Sequence, residues 1–198
     1  LSTASCLRSM GVEISPIIKG EKVEVRGVGL DGLQEPKNVL NCGNSGTTMR
    51  LILGLLVGRE GRHFVLTGDN SLRQRPMRRV SQPLKLMGGK VHGRSNGNLA
   101  PLSVTGENLH GAVIGTPVAS AQVKSSILFS ALGGNNISII NEIIPTRNHS
   151  EIMLRAMGAR ISIKKRKKYN LISLPGHQNL ESFSLDVPGD PSSGAFLC

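Results

Sequence analysis

Four arginines fall within the nine residues Ser71-Leu72-Arg73-Gln74-Arg75-Pro76-Met77-Arg78-Arg79. Guanidinium groups hold carboxylate and phosphate through a planar fork, so arginine at this density suits an anionic ligand. Upstream lies a second device, the turn Gly43-Asn44-Ser45-Gly46-Thr47-Thr48, which runs into the apolar segment Met49 to Val57. A helix that starts on such a turn aims unpaired N–H groups and partial positive charge at whatever sits there. Glycine allows close backbone approach, and hydroxyls add donors. A glycine-rich turn also arises as a simple cap, and clustered arginines as a solvated face. Together the two stretches read as an anion site. No lysine follows Gly46, which excludes a Walker-type phosphate loop.

Two later stretches carry further polar chemistry. Thr116 to Ser126 reads TPVASAQVKSS, with Ser120 and Lys124 four apart. The Ser–Lys nucleophile spacing is S-x-x-K, so that chemistry is set aside. Pro145 to Glu151 reads PTRNHSE. A lone histidine such as His149 is read as structural rather than as a base.

The elements that must position these residues repeat. Leu1 to Ile14, Pro83 to Val91 and Met153 to Ile161 each read as a short helix ending in Met-Gly and followed by a strand. Met10, Met87 and Met157 are 77 and 70 residues apart. Ser45 to Leu66 is a Ser/Thr-opened apolar helix, a glycine and a strand. Val123 to Ile140 repeats it, and Pro191 to Cys198 reads as a third start. Alternation predicts strands at Lys22–Val25 and Leu102–Val104, Leu171–Leu174 matches them in position, and His63–Thr67 is a further predicted strand. A period of about 70–77 residues exceeds that of solenoids and predicts pseudo-symmetric α/β units around one core. The units fall at roughly 1–66, 67–140 and 141–198, within a single domain at 1–198 that reads as incomplete at both ends. Asp190 to Gly194 is read as a cap for the last helix.

The chain has 198 residues, a formal net charge of +11 and 38% hydrophobic residues, the composition of a basic globular protein. One Tyr, four Phe and no Trp leave little to stack on bases, which weakens a nucleic-acid reading. Residues 41 to 94 hold ten Lys/Arg against Glu60 and Asp69, so much of the charge belongs to the anion site. Lys164-Lys165-Arg166-Lys167-Lys168 lies between two predicted strands and reads as a solvated hairpin tip. Cys6, Cys42 and Cys198 show no metal spacing and suggest reduced thiols and a cytosolic setting. The apolar run Leu51 to Val57 is too short to span a bilayer.

GNSGTTMR followed by LTGDNSLRQRPMRRV closely resembles the EPSP synthase (3-phosphoshikimate 1-carboxyvinyltransferase) family. The resemblance runs through essentially all 198 residues, a little under half of a full enzyme. It implies an α/β fold in which βαβαββ units pack helices inside and sheets outside. It also implies enolpyruvyl transfer from phosphoenolpyruvate to the 5-hydroxyl of shikimate 3-phosphate, with release of phosphate. By that comparison Gly46, Arg75 and Gln122 contact phosphoenolpyruvate. Ser120, Ala121, Gln122, Thr146 and Arg147 contact shikimate 3-phosphate, with Asn44, Arg50 and Lys124 in support. Arg50 is expected to pair with a carboxylate behind the site, and Lys124 to add positive charge to it. TRNH departs from the family's S-R-D-H form. Thr146 keeps the hydroxyl, whereas Asn148 loses a charge and puts the orientation of Arg147 or His149 in question.

The resemblance implies no redox cofactor, no membrane or nucleic-acid partner, a monomer when complete, and a cytoplasmic enzyme (plastid in a eukaryote). The family's proton-transfer groups lie outside these residues, so the segment alone is expected to be inactive. Gly46 leaves room for glyphosate-like phosphonates. The sister UDP-N-acetylglucosamine 1-carboxyvinyltransferase carries a cysteine in the loop matching Thr67 to Pro76, and this chain has none there.

Overall fold

The computed structural model describes residues 1–116 and 118–187. The expected third helix start at 191–198, the cap at 190–194 and Cys198 lie outside them.

The chain opens with helix α1 (Ser2–Ser9) and a two-stranded pair, β1 (Glu13–Ile14) and β2 (Val25–Arg26). Two units of the same topology follow. The first runs β3 (Leu40–Asn41), α2 (Gly46–Leu56), β4 (His63–Thr67), a 3-10 turn (Leu72–Gln74), α3 (Arg78–Leu86), β5 (Lys90–Gly93), the single turn α4 (Arg94–Gly97) and β6 (Leu99–Thr105). Its sheet order is β3-β4-β6-β5, with β3 and β4 parallel and the other pairs antiparallel. The second runs β7 (Val113–Gly115), α5 (Ala121–Leu132), β8 (Ser138–Glu142), α6 (His149–Ala156), β9 (Ser162–Lys165) and β10 (Asn170–Leu174). Its order is β7-β8-β10-β9, again with only the first pair parallel. Both are βαβαββ units. They begin at β3 and β7, so their phase differs from the helix-first division at 66/67 and 140/141.

Both expected repeats have a physical basis. Gly11, Gly88 and Gly158 follow α1, α3 and α6 with φ of +93°, +94° and +85°. Only glycine adopts that helix-ending conformation without strain, which is why Met-Gly recurs. The other repeat is a serine cap. Ser45 Oγ accepts from Thr48 N at 3.1 Å, and Ser120 Oγ from Val123 N at 3.5 Å.

The core lies between the sheets. Helices α2 and α5 are buried on nearly every face and contribute Met49, Ile52, Leu53 and Leu56 and Val123, Ile127, Leu128 and Ala131 to the core. The sheets bury alternate residues, Ala100, Leu102 and Val104 on β6 and Ile172 and Leu174 on β10. The interior is thus helical with sheets outside, the predicted class.

Two expected elements change. The strand expected at Lys22–Val25 shrinks to Val25–Arg26, because Val23 and Val25 stay exposed and no core face holds them. The helix expected from Pro83 begins at Arg78 instead. Burial of Val80, Ser81 and Leu84 holds it together across Pro83. The basic run 164–168 is the exposed tip of the β9–β10 hairpin, as expected. Cys6 and Cys42 are free and buried. Contact with Cys6 and then burial push the Cys42 thiol well up, which favours the protonated form.

Candidate functional site

Helices α2 and α5 run parallel, side by side. Gln122 bonds to Thr47 and Arg50 near their starts, and Ser130 Oγ donates to Gly54 O at 2.8 Å further along. Two helix N-termini therefore open onto one region, each with unpaired N–H groups. Like ends of parallel dipoles repel, and an anion between them relieves that repulsion.

At the α2 end the side chains form a relay. Asp69 Oδ1 accepts from Leu72 N at 2.7 Å, and its Oδ2 accepts from Asn44 Nδ2 at 2.6 Å. Asn44 Oδ1 in turn accepts from Arg75 Nη2 at 2.6 Å. The Leu72 amide, then Asn44, then the Arg75 charge hold the Asp69 carboxyl below its usual range. Asp69 and Asn44 thereby orient Arg75 without neutralising it by direct contact. A Cβ on Gly46 would lie 2.8 Å from Arg50 Nη1 and 3.4 Å from Arg75 Nη1, so the missing side chain leaves a gap between two guanidiniums.

Arg50 is buried, and its Nη1 donates to Gln122 Oε1 at 2.7 Å. Burial, then the charges of Arg79 and Arg75, depress its pKa. Against expectation, no carboxylate among the described residues pairs with Arg50. Among the described residues Arg50, Arg75 and Arg79 make no salt bridge. Three clustered guanidiniums without an acidic partner favour a bound anion.

At the α5 end Ala119, Ser120, Ala121, Gln122, Thr146 and Arg147 line a depression of about 310 Å³. Ser120 caps the helix through its oxygen lone pair, which leaves its hydroxyl proton free to donate. Gln122 belongs to both places. Its Oε1 takes Arg50, its Nε2 donates to Thr47 Oγ1 at 2.7 Å, and it lines the depression. The five residues expected around shikimate 3-phosphate thus meet in one hollow, and Gln122 joins it to Gly46, Arg50 and Arg75.

Arg147 is exposed and makes no hydrogen bond or salt bridge among the described residues. Asn148 is the cap residue of α6 but makes no side-chain cap bond. His149 is exposed, not the satisfied structural histidine that was expected. Lys124 does not line the depression. It is buried, with Nζ 2.8 Å from Glu142 Oε1 and 2.7 Å from Glu151 Oε1. A lysine inside an apolar helix must find buried carboxylates, and Glu142, on the inward side of β8 in line with Ser138 and Ile140, is one of them. That signal was available in the sequence. Asp69 was missed as well, although it sits in the turn before the arginine cluster.

A larger hollow of about 1220 Å³ is lined in part by Val25, Gly27 to Asp31, Arg59 and residues 177 to 183. Its walls hold Asp31, Glu60, Glu107 and Glu181 against Arg59 and Arg62, so it has no excess of positive charge, and none of the expected site residues lines it. Among the described residues no cluster of metal-ligating side chains occurs, and no helix is long and apolar enough to cross a membrane.

The family model of EPSP synthase (3-phosphoshikimate 1-carboxyvinyltransferase) matches residues 1–198. The 3-phosphoshikimate 1-carboxyvinyltransferase of Synechococcus sp. (strain WH7803) is 58% identical over 196 residues, covering 99% of this chain and 44% of that protein. That of Prochlorococcus marinus (strain MIT 9303) has the same identity and coverage. An EPSP synthase structure from Acinetobacter baumannii superposes with a TM-score of 0.88 at 42% identity, over 98% of this chain and 43% of that one. The chain therefore spans less than half the length of these relatives.

Proposed function

The chain belongs to the EPSP synthase family, and from that premise we propose that it supplies the substrate-binding half of a 3-phosphoshikimate 1-carboxyvinyltransferase. The observation that carries this reading is Gln122, which lines the hollow at the α5 end and bonds to Arg50 of the arginine cluster. Two anions placed at these sites would lie next to each other. The reaction needs that adjacency, since a bound hydroxyl must reach the enolpyruvyl carbon.

In this reading Arg147, the Ser120 hydroxyl and the α5 N–H groups hold the phosphate of shikimate 3-phosphate, with Thr146 lining the hollow beside them and bonded to Glu142. Gly46, Arg75 and the α2 N–H groups hold phosphoenolpyruvate, with Arg50 orienting Gln122 between the two. The 5-hydroxyl gives its proton to a base as its oxygen bonds to C2 of phosphoenolpyruvate, and C3 takes a proton from an acid to become a methyl group. Loss of that C3 proton then restores the double bond as the C2–O bond to phosphate breaks. These residues bind and orient, and proton transfer falls to groups in the rest of a full-length enzyme. The enzyme is a cytoplasmic monomer that acts on small molecules.

The test is a calorimetric titration of a full-length protein carrying this chain with shikimate 3-phosphate, in wild-type and Arg147→Ala forms. A charged hydrogen bond contributes about 1.5–3 kcal/mol, so the variant is expected to bind roughly 10- to 100-fold more weakly. Equal affinities would overturn the assignment.

A further inference from the structure

Arg147 has no partner of its own among the described residues, so its aim depends on the residues beside it. On its N-terminal side, Thr146 gives both its N–H and its hydroxyl to Glu142 Oε1, at 3.0 and 2.7 Å. On its C-terminal side, α6 is tied to α5 through Ser150 Oγ to Ser125 Oγ at 2.6 Å and through Glu151 to Lys124 at 2.7 Å. Lys124 also reaches Glu142 at 2.8 Å, and Asn170 Nδ2 on β10 donates to Glu142 Oε2 at 3.0 Å. Lys124, Glu142 and Glu151 are all nearly fully buried.

The first unit builds the equivalent places without charge. The serine caps are 75 residues apart, which matches Lys124 to Met49. The last parallel pairs, Asn41 with Thr67 and Gly115 with Asn141, are 74 apart, which matches Glu142 to Gly68, one residue before Asp69. The Met-Gly helix ends are 70 apart, which matches Glu151 to the buried Ser81. Packing of this fold is therefore satisfied by Met, Gly and Ser. Three buried charges cost desolvation that packing alone does not repay. Among the described residues this triad occurs in the unit whose loop carries Arg147, whereas the buried charges of the first unit, Arg50 and Arg59, sit at other positions.

We propose that the buried Lys124–Glu142–Glu151 triad is a positioning device for the phosphate-holding loop, fixing Thr146 and Arg147 relative to the α5 N-terminus. The inference rests on the reading of the hollow as the shikimate 3-phosphate site. Glu142 sets Thr146, Glu151 sets the start of α6, and Lys124 ties both to the helix that presents Ser120 and Gln122. None of the three touches substrate.

The test is a thermodynamic cycle in the full-length protein between Glu142→Ala and Arg147→Ala, read as the Kd for shikimate 3-phosphate. Removing Glu142 leaves Lys124 paired with Glu151, so no buried charge is orphaned. In the wild-type background Glu142→Ala is expected to weaken binding at least tenfold, with the KM for phosphoenolpyruvate changed less than twofold. In the Arg147→Ala background the same substitution is expected to cost less than threefold, because the group it positions is gone. Glu142→Gln, which keeps an acceptor for Thr146, is expected to recover most of the loss. Equal losses in both backgrounds, or a parallel rise in the KM for phosphoenolpyruvate, would overturn the proposal. If Glu142→Ala does not fold, Asn170→Ala decides: about threefold weaker binding supports the device, and unchanged binding refutes it. A wild-type protein that ignores shikimate 3-phosphate would defeat the functional reading itself, and this inference with it.

Discussion

Gly54 lies where the two inner helices touch, and replacing it with alanine tests whether their contact sets the site. An added Cβ would lie 2.5 Å from Ser126 Oγ, 2.8 Å from the Ser126 carbonyl carbon, and closer still to that carbonyl oxygen. Two of these atoms are backbone and cannot swing aside. Ordinary contact begins at about 3.4 Å, so α2 and α5 must separate by roughly 1 Å. Overpacking of this kind costs up to about 3 kcal/mol, and the gain in helix propensity from glycine to alanine returns about 1 kcal/mol. The net loss is about 2 kcal/mol, or roughly 4–8 °C in Tm for a domain of this size. The shift also stretches the bond from Ser130 to Gly54 and, at the helix starts, the bonds from Gln122 to Arg50 and Thr47. KM is therefore expected to rise for both substrates together. Scanning calorimetry and steady-state kinetics on Gly54→Ala in the full-length enzyme read the two effects. Gly115→Ala, which meets nothing within 4 Å, is the control. A Gly54→Ala protein with unchanged or raised Tm would refute the contact as described, and one that melts lower but keeps both KM values would refute its link to the site.

Gly46→Ala places a methyl 2.8 Å from Arg50 Nη1, the movable end of a side chain, so the fold is expected to persist. Inhibition by glyphosate is expected to weaken more than the KM for phosphoenolpyruvate rises, and equal change in the two would contradict it. A third expectation concerns acid. Burial pushes the Glu142 carboxyl up, but Lys124, Thr146 and Asn170 together bring it below its ordinary value of 4.5. A depressed carboxylate adds stability that is complete above the unfolded value and lost as pH falls through the folded one. Melting temperature is thus expected to fall as pH drops below 4.5, and Glu142→Gln to flatten that part of the profile. An unaltered profile in the variant would remove Glu142 from the balance.

Much of the fold was legible because it rests on local signals. Met-Gly ends a helix for reasons of backbone sterics, and Ser45 and Ser120 cap helices through bonds spanning three residues. Strand β4 begins and ends at His63 and Thr67, as expected. Misreadings arose where the deciding force came from afar. Pro83 looked like a start because proline breaks helices, yet buried neighbours carry α3 through it. The direction of Lys124 depends on two carboxylates 18 and 27 residues away in sequence, supplied by a strand and by another helix. Arg50 and Arg75 were both identified as site residues. Their partners, Gln122 and Asn44, lie 72 and 31 residues distant, and no local pattern specifies such pairings.

The repeated topology also accounts for the position of the site. In each unit the first parallel crossover begins a helix at the same end of the core, so two such units side by side bring two N-termini together without further design. That alone gives an anion-attracting region but no selectivity between anions. Selectivity requires that the units differ. At the first turn the α2 unit has Gly46 with Arg50 and draws in Arg75, which suits a small ligand pressed against backbone and flanked by guanidiniums. The α5 unit has Ser120, Ala121 and Gln122 with Thr146 and Arg147, a wider hollow rich in hydroxyl and amide donors. Among the described residues, the bonds that cross the unit boundary at this end link Gln122 to Arg50 and Thr47. Replacement of Gln122 by leucine of similar length would leave each half-site its own cations while cutting the link. Because Gln122 is read as a contact of both ligands and as the acceptor for Arg50, each ligand alone is expected to bind more weakly, and any tightening of one by the other is expected to be lost. Synergy that survived Gln122→Leu would mean that the two anions sense each other through their own charges and not through this residue.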